Sequence, residues 1–250
     1  MLPARFELFT WWGVAVRAHV SWLPLGVLLT WTLAEIVFPF LVPELSVASY
    51  WWMAVGGIIG LFLSILVREL ALALAARLLD IPILGTTLFV FGGSADAWSD
   101  KTSGRREFLM AAIGVLTSLV LGAALLLLLK HGPDATTPLT IAGVVFYLGA
   151  VNWTLALFNL VPAYPLDGGR ILRAALAAWK KDMRWATRIA AGAGSVFGML
   201  LVALGILSII RGNFVGGMWL FLIGVLLHGA ADIAYRQTRE REVPAGRSPA

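Results

Sequence analysis

The stretch LVRELALALAARLL, residues 66–79, sets Arg68 beside Glu69 inside an otherwise apolar run, and three further acids, Asp96, Asp167 and Asp232, interrupt or border apolar segments. An ionisable side chain inside a bilayer costs ~2.5–3.5 kcal/mol on insertion scales and usually faces a bundle interior or a cavity. Such residues are therefore the first candidates for chemistry: carboxylates there can hold a cation, move a proton or pair with a guanidinium. Asp167 is the most telling of them. It lies in VPAYPLDGGRIL (161–172), after two prolines and before Gly168 and Gly169, with the amide of Asn159 close by in sequence. Beside its reading as part of a site stands a simpler one, a turn aspartate capping a helix that starts near Gly169. His228 and Asp232 are one helical turn apart and offer either a two-ligand face or hydrogen bonds within or between helices. The chain has three histidines and no cysteine, which excludes disulfides, thiolate metal sites and a cysteine nucleophile.

The elements that must position these residues follow from composition. Of 250 residues, 60% are hydrophobic and only 13% charged, more apolar surface than a water-soluble domain can hide. A span of the hydrocarbon layer takes about 20 apolar residues. Six stretches qualify, at roughly 19–41, 49–79, 106–130, 139–160, 185–211 and 214–236. Two segments do not read as spans. ILGTTLFVFGGSADAW (83–98) has β-branched and aromatic residues closed by a glycine pair, the pattern of a strand, a turn and a return. VPAYPLDGGRIL breaks helix at its prolines and glycines. Irregular backbone survives at membrane depth only where protein or a water-filled cavity covers it, so both segments are site candidates. The expected fold is an α-helical polytopic membrane protein of six transmembrane helices with a small membrane-associated β-sheet or hairpin. Residues 1–236 form one transmembrane domain, and 237–250, polar and rich in Pro, Gly and Ser, form a disordered cytoplasmic tail.

The net charge of +5 does not point to nucleic acid, because the basic residues are sorted by side rather than clustered. Sixteen of the nineteen Lys and Arg lie in the amino-terminal arm, the second and fourth loops and the tail; Lys130 and Arg211 lie in the other loops, and Arg68 lies inside a span. Positive residues stay inside, which places both termini in the cytoplasm of an integral cell (inner) membrane protein. In the fifth span, Gly194 and Gly198 share a helical face and suit close helix packing.

Three stretches together resemble the site-2 protease family of intramembrane zinc metalloproteases: GVAVRAHVSWLP near the amino terminus, RELALALAARLLDIPILGTTLFVFGGSADA in the middle and NLVPAYPLDGGRILRA after the fourth span. The last is close to the family's Asn-x-x-Pro-x-x-Pro-x-Asp-Gly pattern. In active members the resemblance implies a His-Glu-x-x-His helix whose two imidazoles bind zinc, a Glu acting as base on the metal-bound water, and the Asp of Asp-Gly as third ligand. Residues i and i+4 differ by about 40° around a helix and so converge on one ion. Alignment on RELAL keeps Glu69 at the base position and Asp167 at the third ligand, but puts Arg68 and Leu72 where the histidines belong, and Ala71 where glycine is usual. A permanent cation at the place of a dication opposes metal binding. The resemblance therefore implies a scaffold without zinc or another cofactor, with Glu69 idle. Arg68 is expected to replace the metal as counter-ion of Asp167, its alternative being to snorkel toward the headgroups.

The retained parts imply a groove for a client's transmembrane helix or extended strand, lined by Asn159, Pro162 and Pro165 and by Thr87, Leu88, Phe89, Val90, Phe91 and Gly92. The expected partners are the lipid bilayer and such a client, with no nucleic acid. A regulatory cytosolic domain of the kind some members carry after the last span is not expected, nor is control through one. Three other readings stay open. Glu69, Asp167, Asn159 and His228 would form an unorthodox hydrolase site, or the polar residues would line a transporter or channel path. The Ala/Leu uniformity of ELALALAARLL is also that of an engineered helix.

Overall fold

The computed structural model describes residues 5–11, 14–19, 22–81, 85–89, 92–95, 104–131 and 138–240, with the side chains of 24–81, 104–131 and 138–236. Its elements in chain order are β1 (Arg5–Trp11), β2 (Val14–His19), α1 (Trp22–Thr32), a π-helical turn (Leu33–Val37), α2 (Phe38–Leu41) and α3 (Val47–Leu78). There follow β3 (Gly85–Phe89), β4 (Gly92–Ala95), α4 (Gly104–His131), α5 (Leu139–Asn159), α6 (Asp167–Lys180), α7 (Met183–Ile210) and α8 (Phe214–Glu240). Among the described residues six helical stretches, Pro24–Leu41, α3, α4, α5, α7 and Phe214–Arg236, are long and apolar enough to cross a membrane. The protein is an integral membrane protein and the bilayer is its surroundings. The six spans fall within a few residues of those expected from composition. The first is not uniform, because the π turn adds a residue to one helical round. The last helix continues past 236 to Glu240; beyond it the tail lies outside the described residues.

The chain divides into two compact units, Met1–Thr102 with Ile113–Leu157, and Ser103–Ala112 with Phe158–Ala250. In the first unit α3 is the central element. Ser46 caps it, its hydroxyl accepting from the Ser49 amide at 3.1 Å, which satisfies a donor the first turn leaves open. Its buried residues recur every three or four positions, Tyr50, Met53, Ala54, Gly57, Leu61, Ser64, Ile65, Glu69 and Leu72, one continuous stripe. Tyr50, Met53 and Ala54 pack with Leu33, Ala34, Phe38 and Tyr147, and further along Leu61 and Ile65 pack with Leu29, Leu148, Val151 and Leu155. Trp52, Ile59, Leu63 and Val67 on the opposite side are exposed, the surface a bilayer covers. A buried polar contact joins α3 to α5: Asn152 Nδ2 donates to Ser64 Oγ at 3.0 Å and to the Leu148 carbonyl at 2.7 Å.

The four strands form one sheet of order β1-β2-β3-β4. β1 and β2 are antiparallel, β2 and β3 parallel with Arg17 opposite Thr87, and β3 and β4 antiparallel with Leu88 opposite Gly93. β3 is thus an inner strand, bonded on both sides.

In the second unit α7 and α8 lie against each other through glycines. A side chain at Gly198 would strike the backbone of Gly224 and His228, and one at Gly205 the backbone of Gly217 and Phe221. Small residues let two helices approach where lipid gives no hydrophobic drive to associate. Ala163, Leu166, Leu201 and Leu227 are the buried core, with Phe158, Val161 and Phe197 packed on it.

Candidate functional site

In the first unit the candidate residues sit on the buried stripe of α3. Glu69 is 4% exposed and Leu72 9%. Arg68, one position around the helix, donates through Nη1 to Glu69 Oε1 at 2.8 Å. A charge-assisted bond of this length engages an oxygen that a base would need. Arg68 is itself largely buried, 13% exposed at the side chain, so it does not snorkel to an aqueous surface. Arg68 belongs to the first unit and Asp167 to the second.

In the second unit Asp167 is the first residue of α6, and 4% exposed. The simple capping reading changes in detail: the cap residue is Leu166, without a side-chain bond, and Asp167 stands inside the first turn, where its charge complements the helix dipole. The preceding loop folds back on the helix start. Leu166 donates to the Ala163 carbonyl at 2.9 Å and Tyr164 to the Ala190 carbonyl of α7 at 3.1 Å, and the Tyr164–Pro165 bond is cis. The double glycine is required by this fold-back. A Cβ on Gly168 would enter the carbonyls of Leu160 and Val161, and one on Gly169 the Tyr164 amide. Gly194 of α7 likewise seats the Tyr164 carbonyl. Of the two glycines expected to serve helix packing, Gly198 does so and Gly194 instead receives the loop. Asn159 ends α5, Pro162 is exposed and Pro165 half-buried.

The strand residues need a correction. Thr87, Leu88 and Phe89 belong to β3, whose two edges are taken by β2 and β4, so no client strand can add to them. Within the described sheet the outer strands are β1 and β4, and Gly92 begins β4. Val90, Phe91 and Asp96 lie outside the described residues.

His228 and Asp232 each have a hydrogen-bond partner other than one another. His228 Nδ1 is 2.8 Å from Ser195 Oγ, a bond between α8 and α7, and Asp232 Oδ2 accepts from Arg236 Nε at 2.8 Å on its own helix. Within each unit, no group of three His, Asp or Glu side chains converges among the described residues. The donors on α3, a guanidinium bonded to a carboxylate with leucine one turn on, do not fit zinc.

Two ionisable residues escaped the sequence reading. Glu107, 1% exposed, accepts from Nε of Arg173 at 2.8 Å and also from its Nη2, and Arg173 lies over the Tyr164 ring. Glu35 stands in the π turn of the first span, exposed. Its signal was present, an acid within an apolar stretch; that of Glu107 was hidden by its place at the start of a span.

Six apolar spans, a proline-broken loop entering a short helix at Asp-Gly-Gly and a small sheet define the fold of a site-2 protease. The solved site-2 protease from Methanocaldococcus jannaschii has this fold, with a TM-score of 0.66 at 24% identity over 98% of this chain and 99% of that one. In sequence the chain is 37% identical over 221 residues to Rip3 of Mycobacterium tuberculosis, covering 88% of this chain and 56% of that protein. It is 30% identical over 230 residues to sll0528 of Synechocystis, covering 92% and 59%. Both carry zinc metalloprotease in their names, and the chain spans little more than half of each. Residues 129–204 match peptidase family M50, a stretch that includes Asn159 and Asp167 but not Arg68. Residues 129–204 thus carry a match to peptidase family M50, within a chain that has the fold of a site-2 protease.

Proposed function

We propose that this scaffold is catalytically silent and binds a transmembrane segment of a client protein without cutting it. The observation that carries the reading is the 2.8 Å bond from Arg68 to Glu69, which puts a fixed cation at the position the family gives to its first zinc-binding histidine and ties down the family's base. Zinc catalysis takes about three protein ligands and an open position, and even loss of outer support costs about 10–100-fold, so two missing imidazoles leave no tight site. Arg68 is then the protein's own substitute for the metal, and we extend this to Asp167, whose carboxylate it would neutralise in the assembled domain. Asn159, Pro162 and Pro165 would line a groove that receives the client's helix, and the outer edge of the sheet at β4 would be open to an extended segment. The sorting of basic residues into the amino-terminal arm, the second and fourth loops and the tail supports a cytoplasmic side for both termini.

Metal analysis of the purified chain tests this directly. Substoichiometric zinc in the unaltered protein, rising toward one equivalent in R68H/L72H, is expected. Stoichiometric zinc in the unaltered protein, or chelator-sensitive cleavage of a helical peptide, would overturn the reading.

A further inference from the structure

The corner where α6 ends and α7 begins gathers exposed cations around two tryptophans. Lys180, Lys181, Arg184 and Arg188 are all exposed, and Trp179 is 74% exposed. Lys180 Nζ stands 4.4 Å from the centre of the Trp185 ring, and that ring meets Trp179 edge-on at 6.3 Å. Lys181, in the left-handed conformation at φ 55°, closes the turn, its amide bonded to the Ala177 carbonyl at 2.8 Å. The acid in the corner is Asp182, whose Oδ1 accepts from the amides of Arg184 and Trp185 at 3.0 Å each, so the start of α7 is already capped. An anion arriving here would meet side chains and not open helix amides.

The corner's place in the fold identifies the anion. α7 is a membrane span from Met183 onward, so the turn at Lys181 lies where a span emerges among headgroups. Tryptophan settles at that level with its ring in the acyl boundary and its N–H in the polar layer. Arg188, one turn further into the span than Arg184, can extend its guanidinium back to the same level. We propose that the α6–α7 corner is a seat for an anionic phospholipid, its phosphodiester held by Lys180, Lys181 and Arg184 and its glycerol backbone beside Trp179. α6 is 14 residues long, so the seat is about 20 Å from Asp167 at the other end of the helix. Lipid held there anchors α6 at its far end, independently of whether the protein hydrolyses anything.

Native mass spectrometry of the full, delipidated chain in detergent, titrated separately with phosphatidylglycerol and phosphatidylcholine of the same acyl chains, tests the seat. Phosphatidylglycerol should be retained about tenfold more tightly, and K180Q/K181Q/R184Q should reduce that preference to about twofold. R211Q, at the opposite end of α7, should leave it unchanged, and millimolar inorganic phosphate should not displace the lipid. Equal retention of the two lipids would overturn the proposal. So would a preference that survives the triple change or is lost equally in R211Q, which would mean diffuse charge, or displacement by inorganic phosphate, which would mean a free-anion site. Without any substitution, 0.5 M salt should erode the preference, since exposed charges are screened over about 3–10 Å at such concentrations. A salt-insensitive preference would also overturn it.

Discussion

Arg173 reaches Glu107 across 66 residues of sequence, donating through Nε at 2.8 Å and through Nη2 to the same carboxylate oxygen, while its guanidinium lies 5.1 Å from the centre of the Tyr164 ring. One cation thus connects the start of α4, the middle of α6 and the loop that leads to Asp167.

Removing one partner of a buried pair leaves an uncompensated charge and costs about 3–5 kcal/mol, whereas replacing both with apolar groups of similar volume is often neutral. Arg173→Met should therefore lower the melting temperature in detergent sharply, and E107L/R173M should recover most of the loss. Thermal unfolding followed by light scattering measures both. A double variant as unstable as the single one would show that geometry, not charge, is what the pair supplies.

Gly192 and Gly194, neighbours but one on α7, should respond in opposite directions to the same added methyl. A Cβ on Gly192 would meet nothing within 4 Å, whereas one on Gly194 would run into the Tyr164 carbonyl. Alanine favours a helix over glycine by about 1 kcal/mol, so G192A should raise the unfolding midpoint slightly. G194A should lower it, because the loop must move off the helix and the Tyr164–Ala190 bond with it. Equal shifts of one sign would mean that the loop is not seated on Gly194.

What could be read from the sequence divides along a physical line. The spans could, because lipid demands about 20 contiguous apolar residues whatever packs beside them, and α3, α4, α5 and α7 begin and end within three residues of expectation. The loop at Asp167 could, because proline and double glycine restrict backbone locally. The parallel pairing of β2 with β3 could not, since it joins segments some seventy residues apart with nothing local to mark it, and the open edge was accordingly assigned to the wrong strand. The Glu107–Arg173 pair is hidden for the same reason. At Arg68 the reading went halfway: a charge inside an apolar run made a buried position and the need for a counter-charge legible. That it bonds its own neighbour Glu69 was not, because adjacent residues on a helix ordinarily point apart and only the rotamers bring them together.

Ser64 and Asn152 provide a smaller effect with a clear direction. Their hydrogen bond is buried between α3 and α5, one turn from Arg68, and Asn152 also bonds the Leu148 carbonyl of its own helix. Bonds between membrane helices contribute about 0.6 kcal/mol on average and up to about 1.7. S64A should reduce stability within that range, and N152A by more, since it also loses packing volume. An unaltered denaturation midpoint in N152A would mean that the two helices are held by apolar contacts alone.

The counter-charge role of Arg68 is best measured as a coupling and not as a loss, because truncating a long buried side chain destabilises through packing as well. A cycle of R68M, E69Q and R68M/E69Q isolates the interaction between the two side chains. Contacting groups in one ionic network couple by about 0.5–3 kcal/mol, and a charge-assisted bond of 2.8 Å between side chains 13% and 5% exposed belongs in the upper half of that range. Repeating the cycle with Asp167→Asn in place of Glu69→Gln asks whether the same guanidinium also serves the acid of the α6 loop. Coupling to both residues is the result expected if Arg68 serves as counter-ion of Asp167, as proposed. Coupling to Glu69 alone would confine Arg68 to its own helix and leave Asp167 to be neutralised elsewhere. Additivity in both cycles would remove the physical basis for reading this site as a metal centre replaced by protein.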